Sequence, residues 1–147
     1  MTTAHKPISL KTLLLDVGNT NLKWAILNHN QWQESGRLPT TQWQSLAEIA
    51  REHGMDAALG TSVADEEINQ GIARLLKTRW IESGSPQGMI ESPYDMSQLG
   101  PDRWAALLGA QALHRNQNLI VVQSGTATTV DALVSNRHLG GFILPGI

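Results

Sequence analysis

One pattern constrains the fold of this chain more than any other: an apolar run that breaks at a glycine turn and returns as a second apolar run. It occurs twice. With Gly18 superposed on Gly125, an offset of 107 residues, LLLDVGNTNLKWAIL entered at Leu13 lies over IVVQSGTATTVDALV without a gap. Literal identity is slight, chiefly Gly18 with Gly125 and Ala25 with Ala132. What the halves share is apolar strand, turn of glycine and hydroxyl side chains, apolar strand. Such internal similarity predicts a duplicated supersecondary unit.

The remaining periodicities fit that plan. Apolar runs at Leu10–Leu15 and Lys23–Leu27, followed by Gln31–Arg37, predict an antiparallel meander of three strands. Gln42–His53 has helical spacing at Leu46, Ile49 and Ala50 and stops at Gly54. Ala57–Val63 reads as a buried strand, and Glu66–Lys77 as a helix with Ile68, Ile72, Leu75 and Leu76 on one face. Residues 82–99 read as an irregular connector with one short strand near Met89–Ile90. Pro101–Leu113 predicts a helix with proline in its first turn. Strands follow at Asn118–Val122, Val130–Val134 and Leu139–Leu144, so a three-strand unit comes round again. The five tryptophans, at 24, 32, 43, 80 and 104, are expected to supply the aromatic core and its rim.

Composition narrows the possible chemistry. The chain of 147 residues has 41% apolar and 16% charged residues and a net charge of −2, which gives no electrostatic reason to expect nucleic acid or an anionic membrane as partner. It has no cysteine, so disulfides and thiolate chemistry are excluded. The longest apolar run near the N-terminus is three leucines, too short for a signal peptide, and nothing approaches the ~18 apolar residues of a membrane span. A cytoplasmic protein is expected. The five histidines show no paired spacing for zinc.

The first turn, DVGNTN, has the makings of an anion site. Gly18 permits a positive φ and close approach of backbone N–H groups to a ligand. Asn19 and Thr20 add short donors. Asp16, being anionic, does not hold a phosphate, but at the strand end it suits a hydrated Mg²⁺ that bridges phosphates. Lys23 lies where its ammonium reaches back across the hairpin. The alternative is a hairpin in which Gly18 and Asn19 merely serve the turn. The second turn, SGTATT, offers Gly125, Thr126 and Thr128. Two such turns facing one cleft would suit the β- and γ-phosphates of ATP.

LGPDRW puts Asp102 and Arg103 in the first turn of the third long helix. There an aspartate complements the helix dipole, and capping alone explains it. The functional alternative makes Asp102 a general base toward a primary alcohol and Arg103 a bidentate clamp for a carboxylate. Asp131, just after the second turn, suits either the cleft or buried capping. Trp104 is placed to line a substrate pocket.

Four segments, DVGNTNLK at 16–23, LGPDRW at 99–104, SGTATTVDAL at 124–133 and GGFILPG at 140–146, resemble in order and spacing the type III pantothenate kinases, also known as Bvg accessory factors. The resemblance runs from Leu13 to Ile147. It implies an α/β, ribonuclease H-like (actin-like ATPase) fold: a three-stranded meander plus parallel strands and flanking helices, then the first strands of a duplicated second lobe. On that basis residues 1–116 form the N-terminal lobe and 117–147 begin the second. The implied activity is ATP-dependent phosphorylation of pantothenate, the first step toward coenzyme A. ATP and Mg²⁺ would be met by Asp16, Val17, Gly18, Asn19, Thr20, Asn21, Leu22 and Lys23, with Gly125 and Thr126 from the second turn. Pantothenate would be met by Gly100, Pro101, Asp102 and Arg103, with Asp102 as proton acceptor. A homodimer and a monovalent cation, potassium or ammonium, are also implied.

Three departures qualify the match. Gln123 stands where the family has the aspartate that ligates the monovalent cation; an amide offers an oxygen but no charge. The family's substrate-contacting tyrosine would fall at Pro93, which makes the adjacent Tyr94 the candidate. Family members also continue well past GGFILPG, so residues 118–147 are expected to lack packing partners and to leave their apolar end exposed. The alternative implied by that shortness is a non-catalytic nucleotide-binding or regulatory accessory protein.

Overall fold

The computed structural model describes residues 11–84 and 90–146. Three strands, β1 (Lys11–Val17), β2 (Asn21–Asn28) and β3 (Gln31–Pro39), form the expected meander. A 3-10 turn over Thr40–Ser45 leads into helix α1 (Leu46–His53), then strand β4 (Ala57–Ser62), helix α2 (Glu66–Leu75) and strand β5 (Lys77–Trp80). Helix α3 (Pro101–Leu113) precedes a second meander of β6 (Leu119–Ser124), β7 (Ala127–Val134) and β8 (Arg137–Pro145). The strands make a five-stranded sheet in the order β3-β2-β1-β4-β5 and a three-stranded sheet in the order β6-β7-β8.

The chain divides into two compact units, Met1–Gly60 with Ala64–Arg79, and Thr61–Val63 with Trp80–Ile147. This differs from a division at residue 116. The reason is α3: its Trp104 and Leu107 share a core with Leu99 and with Leu133 of β7, which ties the helix to the second meander. In the first unit, alternation along β1 sends Leu13, Leu15 and Val17 inward, where Leu22, Ile26, Leu46 and Ile72 are also buried. Glycine makes room for the aromatics here. A Cβ on Gly71 would overlap the Trp43 ring, and one on Gly36 would overlap Trp24.

The duplication holds in more detail than the sequence suggests. In each meander the second and third strands are joined by two residues at positive φ, His29 (49°) and Asn30 (62°) in one, Ser135 (47°) and Asn136 (63°) in the other. Two L-residues in this region make the tight turn whose twist suits a hairpin. The bulge also recurs, between Ile26 and Leu27 and between Ala132 and Leu133. Both features match at an offset of 106 residues, not 107. The first hairpin pairs Asp16 with Lys23 and the second pairs Gln123 with Thr129, so the second turn is one residue shorter. The gapless superposition therefore fails past the turn. The true counterpart of Ala25 is Asp131, not Ala132.

Other expectations need correction. The segment Gln42–Ser45 is not α-helical: Gln42 (φ −105°, ψ 23°) breaks the helical path. Helix α2 ends at Leu75, and Leu76 is already extended, because Lys77 enters a strand and donates its N–H to the Asp56 carbonyl. Leu75 faces solvent. Met89 lies outside the described residues, and the adjoining segment makes a single parallel bridge, Glu91 with Arg137. Of the tryptophans only Trp104 is fully buried, while Trp32 is 69% exposed. No helix among the described residues is long and apolar enough to cross a membrane.

Leu13 is wholly buried in the first unit. Leu13→Ala should lower unfolding free energy by about 2–5 kcal/mol through lost transfer energy and a residual cavity, read as a reduced midpoint in urea at unchanged m-value.

Candidate functional site

Each glycine turn closes on itself. The Gly18 N–H donates to the Asn21 carbonyl (2.9 Å) and the Gly125 N–H to that of Ala127 (3.0 Å). Neither glycine has a positive φ, so the expectation of a left-handed cradle is not met. Gly18 instead keeps a Cβ away from the Asn21 carbonyl, 3.0 Å from where it would stand. With the Gly18 amide engaged, an anion here would rely on Asn19 and Thr20, both exposed at the apex. Val17 and Leu22 are buried, so they could meet a ligand only through their main chain.

The first turn is braced from behind by a residue that the sequence reading passed over. Thr40, 1% exposed, donates its Oγ1 hydrogen to the Gly18 carbonyl (2.7 Å) and its N–H to the Thr20 carbonyl (2.9 Å). In the second meander the Gly146 N–H donates to the Thr126 carbonyl (3.1 Å), the equivalent bond. The signal for Thr40 lay in its position straight after Pro39, where the third strand ends beside the turn.

The strand ends beside the turns differ in charge. Lys23 Nζ lies 3.2 Å from Asp16 Oδ2, both side chains about half-exposed. The counterpart pair is neutral, with Thr129 Oγ1 donating to Gln123 Oε1 at 3.3 Å. Asp16 thus offers a hard anionic oxygen at an accessible position, which fits a hydrated divalent cation. Gln123 offers an oxygen without charge, a poorer fit for a monovalent cation. No cluster of three or more His, Asp or Glu residues is gathered among the described residues.

The start of α3 is organised differently. Gly100 caps it, its carbonyl accepting from the Trp104 N–H (3.1 Å), and Pro101 opens the first turn. Asp102 is half-buried, and its Oδ1 accepts from the Arg103 N–H (2.8 Å). Arg103 turns inward. Its Nε donates to Asp131 Oδ2 (3.0 Å) and its Nη2 to Asp131 Oδ1 (2.6 Å), a side-on bidentate pair. Hydrogen bonding to Asp131 holds the Arg103 pKa above its ordinary value, against the opposing effect of desolvation. His138 Nε2 shares Asp131 Oδ1 at 2.8 Å, and His138 Nδ1 meets Ser92 Oγ at 2.8 Å. Both bonds are satisfied by the tautomer with its hydrogen on Nε2. Asp131 therefore lies in a buried ionic network, where the sequence had left its orientation open.

Tyr94 closes one side of this network. Its hydroxyl donates to the Gly141 carbonyl (2.8 Å) and accepts from the Gly141 N–H (3.0 Å), and its ring centroid is 5.8 Å from Arg103 Cζ. Tyr94, Gln98, Arg103, Gly141, Phe142 and Ile143 line a pocket of about 280 Å³. The structure thus brings Tyr94 and Arg103 together, as two sequence candidates for one substrate. Trp104 instead joins the buried core, and its Nε1 has no hydrogen-bond partner among the described residues. His138, Ser92 and Gly141 were missed.

Comparison with known proteins fits this arrangement. The family model for type III pantothenate kinase matches residues 12–147. A curated type III pantothenate kinase from Aromatoleum aromaticum is 41% identical over 142 residues, covering 91% of this chain and 58% of that protein. The chain thus spans a little over half the length of such relatives. A solved structure from Campylobacter jejuni, assigned to the Baf family of transcriptional activators, is 27% identical with a TM-score of 0.62, covering 92% of this chain and 55% of its own. The ethanolamine utilization protein EutJ from Carboxydothermus hydrogenoformans, at 12% identity and a TM-score of 0.55, shares the fold alone and covers 99% of this chain and 54% of its own.

Gly141 tests the packing of the network directly. A Cβ there would overlap the Val130 carbonyl oxygen and Asp131 Oδ1, neither of which is a flexible chain end. Gly141→Ala should cost roughly 1–3 kcal/mol in chemical denaturation; an unchanged midpoint would show that β8 can move away without penalty. The matched family model and the identity to curated relatives agree on one assignment: the chain belongs to the type III pantothenate kinase family.

Proposed function

We propose that the protein phosphorylates the primary hydroxyl of pantothenate with ATP, the entry reaction of coenzyme A synthesis. The observation that carries this reading is local. In a chain of this family, Arg103 lines a pocket together with Tyr94, and Asp102 sits next to it in the same helical turn. Asp102 accepts the proton of the hydroxyl as that oxygen bonds to the γ-phosphorus. The bond from the γ-phosphorus to the β-phosphate oxygen breaks, and ADP leaves. The substrate's carboxylate is held by N–H groups of Arg103 that Asp131 does not use, with Gly100, Pro101 and Tyr94 shaping the pocket around it.

In the first unit the exposed apex of the glycine turn meets phosphate oxygens through Asn19 and Thr20, and in the second unit Gly125 and Thr126 are the nucleotide contacts that the family resemblance supports. Val17, Asn21 and Leu22 contribute main chain, and Lys23 contributes charge. Asp16 holds a hydrated Mg²⁺, which when bound neutralises phosphate charge. Gln123 supplies an amide oxygen where the family resemblance implies a monovalent cation, so dependence on potassium is weak. Resemblance to the family supports a cytoplasmic homodimer.

Two substitutions test the reading. Asp102→Asn should cut pantothenate-dependent ATP turnover by about 10²–10⁴-fold in a coupled assay while nucleotide affinity holds; retained turnover would dismiss Asp102 as the base. Asp16→Ala should weaken Mg-ATP binding about tenfold, as expected for losing one charged partner. Unchanged affinity by calorimetry removes Asp16 from the site.

A further inference from the structure

Among the buried polar groups of the second unit, Asp131 is the one on which Arg103 and His138 converge. It is 2% exposed, and its carboxylate accepts two hydrogen bonds from Arg103 and lies 2.8 Å from His138 Nε2. A guanidinium has five N–H donors in a planar fork. Asp131 takes Nε–H and one hydrogen of Nη2, along one edge. Three N–H groups remain at the other end, on Nη1 and Nη2, and Arg103 lines the pocket. A planar anion such as a carboxylate can be met there by two parallel bonds.

The first meander shows that the hairpin itself does not require this carboxylate. The counterpart of Asp131 there is Ala25, on the same strand, relative to the same bulge, and also buried. A buried charge carries a desolvation cost that an alanine avoids. The second unit bears that cost and surrounds it with Arg103, His138 and, behind His138, Ser92.

We infer that Asp131 is a positioning residue: with His138 and Ser92 behind it, it fixes the edge of Arg103 so that the opposite end of the fork is presented to an anionic substrate in the pocket. Asp131 need not touch that substrate. The identity of the anion rests on the pantothenate kinase reading; the geometry of the lock does not.

The test is Asp131→Asn, which keeps the shape but removes the charge and one acceptor. The expected result is a KM for pantothenate raised about tenfold or more, with KM for ATP within about twofold, and a lowered thermal midpoint because the buried Arg103 charge loses its counter-ion. In ¹⁵N spectra the Arg103 Nε–H should exchange slowly in the unsubstituted protein, where Asp131 holds it, and rapidly in the variant. A fall in kcat alone, an equal change in both KM values, or retained slow exchange overturns the proposal. If the unsubstituted protein shows no pantothenate-dependent turnover, the kinase reading falls, and the exchange measurement decides the lock by itself: lost protection supports it, retained protection overturns it. Should Asp131→Asn fail to fold, Ser92→Ala loosens the same lock from behind His138. It should raise the pantothenate KM about threefold and speed Nε–H exchange, and no change in either overturns the proposal.

Discussion

A carboxylate with almost no access to water must find its compensation inside the protein, and the second unit is arranged around that requirement. Asp131 is placed by β7, Arg103 reaches it from α3, and His138 reaches it from β8. Each partner removes part of the desolvation cost, and removal of one partner from a buried pair typically costs about 3–5 kcal/mol. The Arg103 side chain therefore does more than carry charge. It anchors the first turn of the helix that also bears Asp102, so the orientation of the proposed base depends on a bond made one residue away.

The two meanders show what duplication preserves and what it releases. Backbone devices persist: the positive-φ turn, the bulge, and the bond that braces the glycine turn. Side chains diverge at the strand ends and at the buried position of the middle strand. The pair at the strand ends is ionic in one copy and neutral in the other, and a buried alanine has become a buried aspartate. Hairpin geometry is set by φ and register, and many side chains satisfy it. Site chemistry is set by the side chains themselves.

This division explains what could be read from the sequence. The eight-strand plan apart from β5, the bounds of α3 and the duplication were legible, because apolar periodicity and turn residues report backbone structure directly. The short strand β5 was not, since KTRW carries two cations and directly follows a helix with no breaker between them. Asp102, Arg103 and Tyr94 could be singled out as candidates, and the structure brings Arg103 and Tyr94 to one pocket. The Arg103–Asp131–His138–Ser92 network was not, since its members come from sequence-distant segments and no spacing rule links them. The one-residue offset was hidden too, because the chance match of Ala25 with Ala132 concealed the structural one with Asp131. Register could be recovered only from strand pairing.

The outer side of the second sheet has its own consequence. Ile120, Val122, Phe142 and Leu144 project from one face of β6–β8 into solvent, whereas the counterparts of the first two, Leu13 and Leu15, are buried. Water wets such a stack poorly. Handled alone, this chain presents a colloidal problem more than a folding one. Strongly hydrated anions such as sulfate, which strengthen apolar association, would bring it out of solution while the packing around Asp131 stayed intact.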